Sequence, residues 1–296
     1  MPPKKIGVVG LGKMGFGMAA SLARAGFTVH GHDINPALAA QSAEAGIGFS
    51  ADLPALLREA DALVLSLPHA RDVEAVLLAP GGLLERRGRK VVVIDTSTSD
   101  PGTSRRLAAR LAEAGHGLLD APVSGGPAGA ASGSLTMMIG GEAKDLKAAR
   151  PVLEAMAARL VHVGPSGAGN VAKLVNNLLV AAHLVAAGEA MRLAEAAGLP
   201  AEEALKVVNA ATGRSVVTEL MMPRWVMPGS FDSGFSAGLM RKDIHLAKEL
   251  MAEMALDLPL SQAVERLWRE AIERIPDHAD FTRMADHRPA PEPDNG

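Results

Sequence analysis

The sequence predicts an α/β chain in which an N-terminal, doubly wound parallel sheet is followed by an all-helical domain. Three observations predict it. Short β-branched runs alternate with helical patterns through the first half. A G-x-G-x-x-G spacing directly follows the first of those runs. After about Gly164 the strand-like runs stop and helical periodicity takes over.

The strand candidates in chain order are "KIGVVG", "TVHGHD", "ALVLSLP", "KVVVIDTS", "GLLDAPV", "LTMMIGG" and "LVHVG". Between several of them lie Ala/Leu-rich helices such as "MGFGMAASLARAG" and "GTSRRLAARLAEAG". These two close on Gly26 and Gly115, as helix C-termini often do. Such alternation implies parallel strands covered on both faces. The run "NVAKLVNNLLVAAHLVAAGEAMRLAEAAG" reads as a helix that buries much of its surface, with His183 as a core residue. "LSQAVERLWREAIERI" places Leu260, Ala263, Val264, Leu267, Trp268, Ala271, Ile272 and Ile275 on one stripe. The division expected is 1–163 for the sheet domain, 164–286 for the helical domain and 287–296 for a loose, polar, proline-rich tail.

Composition narrows the function. The net charge of -3 and a pI near 6.3 give no electrostatic reason to expect nucleic acid. Aromatics are scarce and Tyr is absent, which disfavours base-stacking surfaces. With no Cys, disulfides, thiolate metal sites and Cys nucleophiles are excluded, which fits a cytoplasmic location. The N-terminal "MPPKKIGVVGLGKMG" does not read as a secretory leader, and no membrane span is expected. His30 and His32 share a strand face but lack a third ligand, so no metal is expected.

"VVGLGKMG" supplies Gly10, Gly12 and Gly15 between a strand and a helix. Gly10 permits the tight turn, Gly12 a close approach of backbone to a pyrophosphate, and Gly15 close packing of helix on sheet. Leu11 and Met14, between these glycines, are expected to line the same dinucleotide. Asp33 ends the second strand, where this Rossmann-type fold places an acid on the adenosine ribose. The following "INPALAAQ" has no Arg to receive a 2′-phosphate, so NAD is expected over NADP.

A second glycine loop lies in "DAPVSGGPAGAASGSLTMMIGG". Ser124, Gly125 and Gly126 could offer a hydroxyl and bare backbone N–H groups to a small carboxylate, or form a plain surface loop.

"GLGKMGFGMA", "DAPVSGG", "GAGNVAKLVNN" and "RKDI" occur in this order, with "DTSTSDP" between the first two. Together they resemble the signature stretches of the β-hydroxyacid dehydrogenases, the group of 3-hydroxyisobutyrate dehydrogenase and tartronate semialdehyde reductase. The resemblance runs from about Ile6 to Phe281. It implies an NAD-dependent oxidoreductase that interconverts a small 3-hydroxy acid and its semialdehyde. It makes Lys173 the catalytic acid/base and Asn177 a substrate contact. Leu67, Pro68, Thr98 and Lys242 become cofactor contacts, with Asp243 supporting Lys242. A homodimer or homotetramer is implied as well.

The chemistry agrees with that implication. Positions four apart share a helix face, so Lys173 and Asn177 can address one small molecule. A cleft at the domain boundary is the expected setting. Free lysine, with a pKa of about 10.4, is a poor base near neutrality, and desolvation would lower that value. Two alternatives stand beside this reading. One is an NAD(P)H-dependent reductase of tartronate semialdehyde, succinic semialdehyde or glyoxylate, and the missing Arg after Asp33 argues against its NADPH version. The other is a non-catalytic dinucleotide-binding protein, which would have no use for Lys173, Asn177 and the Ser-Gly-Gly loop together.

Overall fold

The computed structural model describes residues 3–86 and 88–288. It divides into two compact units, Met1–Lys173 and Leu174–Gly296.

The first unit is built on a nine-stranded sheet among the described residues: β1 (Lys5–Val9), β2 (Thr28–His32), β3 (Gly48–Phe49), β4 (Ala62–Leu65), β5 (Val92–Asp95), β6 (Gly117–Asp120), β7 (Val123–Ser124), β8 (Leu135–Gly140) and β9 (Ala157–Gly164). The order is β3-β2-β1-β4-β5-β6-β8-β7, with β9 beside β8. The first six strands are parallel and follow the doubly wound order. The helices of this unit are α1 (Lys13–Arg24), α2 (Leu38–Glu44), α3 (Leu53–Glu59), α4 (Ala70–Leu78), α5 (Pro101–Glu113), α6 (Gly126–Ser132) and α7 (Ala143–Met156).

Strand periodicity explains why both faces are covered. Ile6 and Val8, Ala62 and Val64, and Val92 and Ile94 join one buried cluster with Met18, Leu22, Val152 and Met156 of α1 and α7. Val9, Leu63, Leu65 and Val93 point the other way and meet Leu57, Val76, Leu77, Leu107 and Leu111 of α3, α4 and α5. Each buried Val, Leu, Ile or Met among them contributes about 1.5–3 kcal/mol relative to exposure. Local chemistry sets the helix ends. Asp100 accepts the Thr103 N–H at 2.7 Å and Pro101 opens α5. Gly26 and Gly115 follow α1 and α5 with φ of 89° and 82°, as their positions predicted.

Two details differ from the sequence pattern. "GLLDAPV" is not one strand: it breaks at Ala121–Pro122 into β6 and β7, because Pro122 has no N–H for the ladder. The sheet also is not parallel throughout, since β8 runs antiparallel to β6 and β7. The short α6 cannot make the longer crossover that a parallel return requires.

Helix α8 (Ala168–Ala196) begins in the first unit and continues into the second. The second unit is helical as expected, with α9 (Ala201–Ala210), a π-helix (Val217–Val226), α10 (Ala237–Glu253), α11 (Pro259–Glu270) and a 3-10 turn (Phe281–Ala285). Its core holds Ala181, Leu184, Met191, Met222, Ile244 and Trp268. Trp268 is 1% exposed and donates its ring N–H to the Ala181 carbonyl at 3.2 Å.

The predicted stripe is narrower here than the sequence suggests. Val264, Trp268, Ala271 and Ile275 are buried, whereas Leu260 and Ile272 are exposed and α11 ends at Glu270. His183 is exposed rather than core, because it shares the open face of α8 with Val175 and Leu179. By length and composition α8 could cross a membrane, with a mean hydropathy of 1.5 over its most apolar window. The expected loose tail is packed at its start: His287 is buried and the Arg288 guanidinium lies 5.1 Å from the Phe231 ring centre. The rest of it, from 289, lies outside the described residues.

Candidate active site

The sheet register brings the candidate cofactor residues to one edge. Val9 pairs with His32 and with Leu65, Leu65 with Asp95, and Asp95 with Asp120. The segments holding Gly10–Gly15, Asp33, Leu67–Pro68 and Thr98 therefore all leave the carboxyl ends of adjacent strands, where open α/β sheets bind ligands. The order reverses between β1 and β4, and the glycine loop emerges there.

Each glycine of the loop has its own reason. Gly10 has φ of 88°, and a Cβ on it would overlap the Ser66 carbonyl. A Cβ on Gly15 would overlap the Gly10 carbonyl oxygen, so α1 can start this close only without a side chain there. Gly12 is different: a Cβ would meet nothing within 4 Å. Its bare backbone leaves open space at the head of α1, whose N-terminus has no side-chain cap. Uncapped N–H groups beside open space suit a pyrophosphate.

Leu11 buries its side chain at 1% exposure and turns its N–H to Asp33 Oδ2 at 2.7 Å. Asp33 Oδ1 accepts the Asn35 N–H at 2.9 Å. Met14 is half-buried against the core. Leu67 N–H donates to Ser97 Oγ at 3.0 Å, which ties the turn after β4 to the loop holding Thr98. Pro68 is exposed and Thr98 half-buried.

The second glycine loop follows β6. Ser124 is fixed opposite Thr136 by the β7–β8 ladder. Gly125 and Gly126 both have positive φ, 128° and 63°, a succession that other residues rarely adopt. Lys173 is 8% exposed and donates from Nζ to the Val123 carbonyl at 2.9 Å. The structure thus brings Lys173 to the Ser-Gly-Gly loop.

Sequence reasoning missed what holds Lys173 there. Asp120, fully buried at the end of β6, accepts the Gly167 N–H on Oδ1 at 2.8 Å and the Asn170 N–H on Oδ2 at 3.0 Å. Asn170 is also fully buried. Its Oδ1 accepts the Ser99 N–H at 3.0 Å, and its Nδ2 donates to Ser104 Oγ at 2.9 Å. Burial pushes the Asp120 carboxyl above its usual range, against the lowering by these backbone donors. Asp120 and Asn170 both lie inside quoted motifs, "DAPVSGG" and "GAGNVAKLVNN", which was the available signal. These bonds also explain why the residues from 164 to Lys173 cluster with the sheet.

In the second unit, Asn177 is 4% exposed and sits one turn after Lys173 on α8. Its Nδ2 donates to Asp243 Oδ2 at 2.6 Å, and its Oδ1 accepts from Asn176 Nδ2 at 3.0 Å. Asp243 is buried, and the Lys242 ammonium lies 3.6 Å from its other oxygen. Asp243 therefore orients Asn177 as well as pairing with Lys242.

Known proteins share this arrangement of sequence. The family described as the NAD binding domain of 6-phosphogluconate dehydrogenase matches residues 5–164. That described as NAD-binding of NADP-dependent 3-hydroxyisobutyrate dehydrogenase matches residues 167–287. An NAD-dependent L-serine dehydrogenase of Pseudomonas aeruginosa is 37% identical over 94% of this chain and 96% of its own length. The solved 3-hydroxyisobutyrate dehydrogenase of Mycobacterium tuberculosis with L-serine has a TM-score of 0.89 and 34% identity, covering 96% of this chain and 98% of that one. A structure solved with NADP+ has a TM-score of 0.85 at 27% identity, covering 95% of this chain and 98% of that one.

Proposed function

The chain belongs to the β-hydroxyacid dehydrogenase family, NAD(P)-dependent oxidoreductases acting on CH–OH groups, and on that premise we propose that it interconverts a small 3-hydroxy acid and its semialdehyde with NAD, using Lys173 as the acid/base. The observation that carries this reading is the buried Lys173 amine, bonded to Val123 beside the Ser-Gly-Gly loop. That loop leaves the same sheet edge as the dinucleotide fingerprint.

The nicotinamide, when bound, supplies the hydride acceptor or donor. The chain supplies the rest. In oxidation the neutral Lys173 amine takes the hydroxyl proton as the alcohol carbon loses hydride; in reduction the ammonium returns it to the carbonyl oxygen. The charged form also stabilises the oxyanion that develops. Ser124 and the Gly125–Gly126 backbone suit the substrate carboxylate, a group carried by L-serine and 3-hydroxyisobutyrate alike. Asn177 suits a second polar contact, since its Nδ2 carries two N–H groups and Asp243 fixes their direction.

NAD over NADP rests on Asp33, whose carboxylate accepts from a ribose hydroxyl and repels a phosphate. The test uses Lys173→Ala with a panel of 3-hydroxy acids and both cofactors. Turnover should fall roughly 10²–10⁴-fold while NAD affinity holds. Turnover within a few-fold of wild type would remove Lys173 from the mechanism.

A further inference from the structure

The Lys173 amine is positioned by a short circuit of buried polar groups that begins at the end of β6 and closes on β7, three residues further along the chain. Asp120 ends β6 and takes two backbone N–H groups, those of Gly167 and Asn170, from the start of α8. Asn170 then bridges to Ser99 and Ser104, beyond the end of β5 and in α5. Nearly one turn further along α8, Lys173 returns to the Val123 carbonyl, just past Asp120. Asp120 and Asn170 are both fully buried, so neither trades these bonds for water.

The packing is built around this contact. A Cβ on Gly140 would come within 2.6 Å of Asp120 Oδ1, and one on Gly169 would overlap the Asp120 carbonyl. Bare backbone at both positions lets α8 seat on the carboxylate. A buried carboxylate that only closed a helix end would need no second buried residue reaching two further segments. Here Asn170 ties the same turn to Ser99, next to Thr98 on the expected cofactor edge.

We infer that Asp120 and Asn170 are positioning residues, which fix the first turn of α8 so that the Lys173 amine is held at the second glycine loop. For its effect on turnover, this inference rests on the acid/base reading of Lys173. The placement of the amine can be tested apart from that reading.

The experiment is competitive acetylation of the full-length protein, read peptide by peptide, with exposed Lys147 as internal reference. In wild type, Lys173 should react at least about tenfold more slowly than Lys147, as a buried and bonded amine should. In Asp120→Asn, one N–H acceptor becomes a donor; in Asn170→Ser, the bridge to Ser99 and Ser104 is cut while the backbone N–H remains. In each folded variant the protection of Lys173 should drop at least about threefold, with kcat down about tenfold and the NAD Kd within about twofold. Unchanged protection in the folded variants would overturn the inference, whatever Lys173→Ala does to turnover. Conversely, an active Lys173→Ala enzyme with Lys173 protection lost in the variants would sink the acid/base reading and leave the clamp standing. Should neither variant fold, hydrogen exchange in wild type decides. The Gly167 and Asn170 amides should be protected like the β6 core, and exchange at loop rates would overturn the clamp.

Discussion

The Leu11 N–H donates to Asp33 Oδ2 at 2.7 Å, so the acid that follows β2 is bonded to the glycine loop that follows β1. Asp33 therefore shapes the loop, in addition to the ribose contact proposed for it. Asp33→Ser is expected to lower the NAD:NADP ratio of kcat/KM at least about tenfold, the worth of one hydrogen bond to a charged acceptor. Steady-state kinetics with both cofactors measures it, and an unchanged ratio would rule Asp33 out as the selecting group.

Gly12 and Gly15 should fail differently when given a methyl group. Gly15→Ala meets the Gly10 carbonyl and should cost about 1–3 kcal/mol of stability, or more. Gly12→Ala meets no protein atom within 4 Å and should leave stability within about 0.5 kcal/mol. Its methyl would instead occupy the space read as the pyrophosphate site, weakening NAD binding at least about tenfold. Denaturant melts and NAD titrations separate the two, and tight NAD binding by Gly12→Ala would displace the pyrophosphate from this loop.

Asn177→Asp should be worse than Asn177→Ala. The new carboxylate would face Asp243 Oδ2 from an atom position now 2.6 Å away, and neither residue is exposed. Two acids so placed do not both ionise freely. A stability loss of about 2–4 kcal/mol is expected at neutral pH. Equal melting curves for the two variants between pH 6 and 8 would contradict the pairing.

Asp120 gives a pH dependence of unusual sign. Burial raises its pKa above 3.8, so the folded chain holds that proton more tightly than the unfolded chain. The contribution is fully present below the unfolded value and is lost as pH rises through the folded one. The stability of wild type relative to Asp120→Asn should therefore decline on going up from about pH 4. A difference that stays flat, or grows with pH, would show that the carboxyl is not raised.

The parts legible in the sequence were those written locally. The glycine fingerprint, Asp33 and most strand runs are contiguous patterns, and the fold places them at one sheet edge. Lys173 could be picked out only because four motifs occurred in order. Asp120 and Asn170 escaped, since their meaning lies in bonds between residues 50 apart in the chain. The two-residue strands β3 and β7 are too short for any periodicity to register. His183 misled because an Ala/Leu-rich helix suggests burial all round, whereas α8 leaves one face open at Val175 and Leu179.

The sealed Trp268 indole makes the two units optically unequal. The chain has two tryptophans and no tyrosine, and both tryptophans, Trp225 and Trp268, belong to the unit Leu174–Gly296. Intrinsic fluorescence will thus report loss of structure only in the helical unit. Melting of the sheet unit is dark to it and must be followed by circular dichroism or hydrogen exchange.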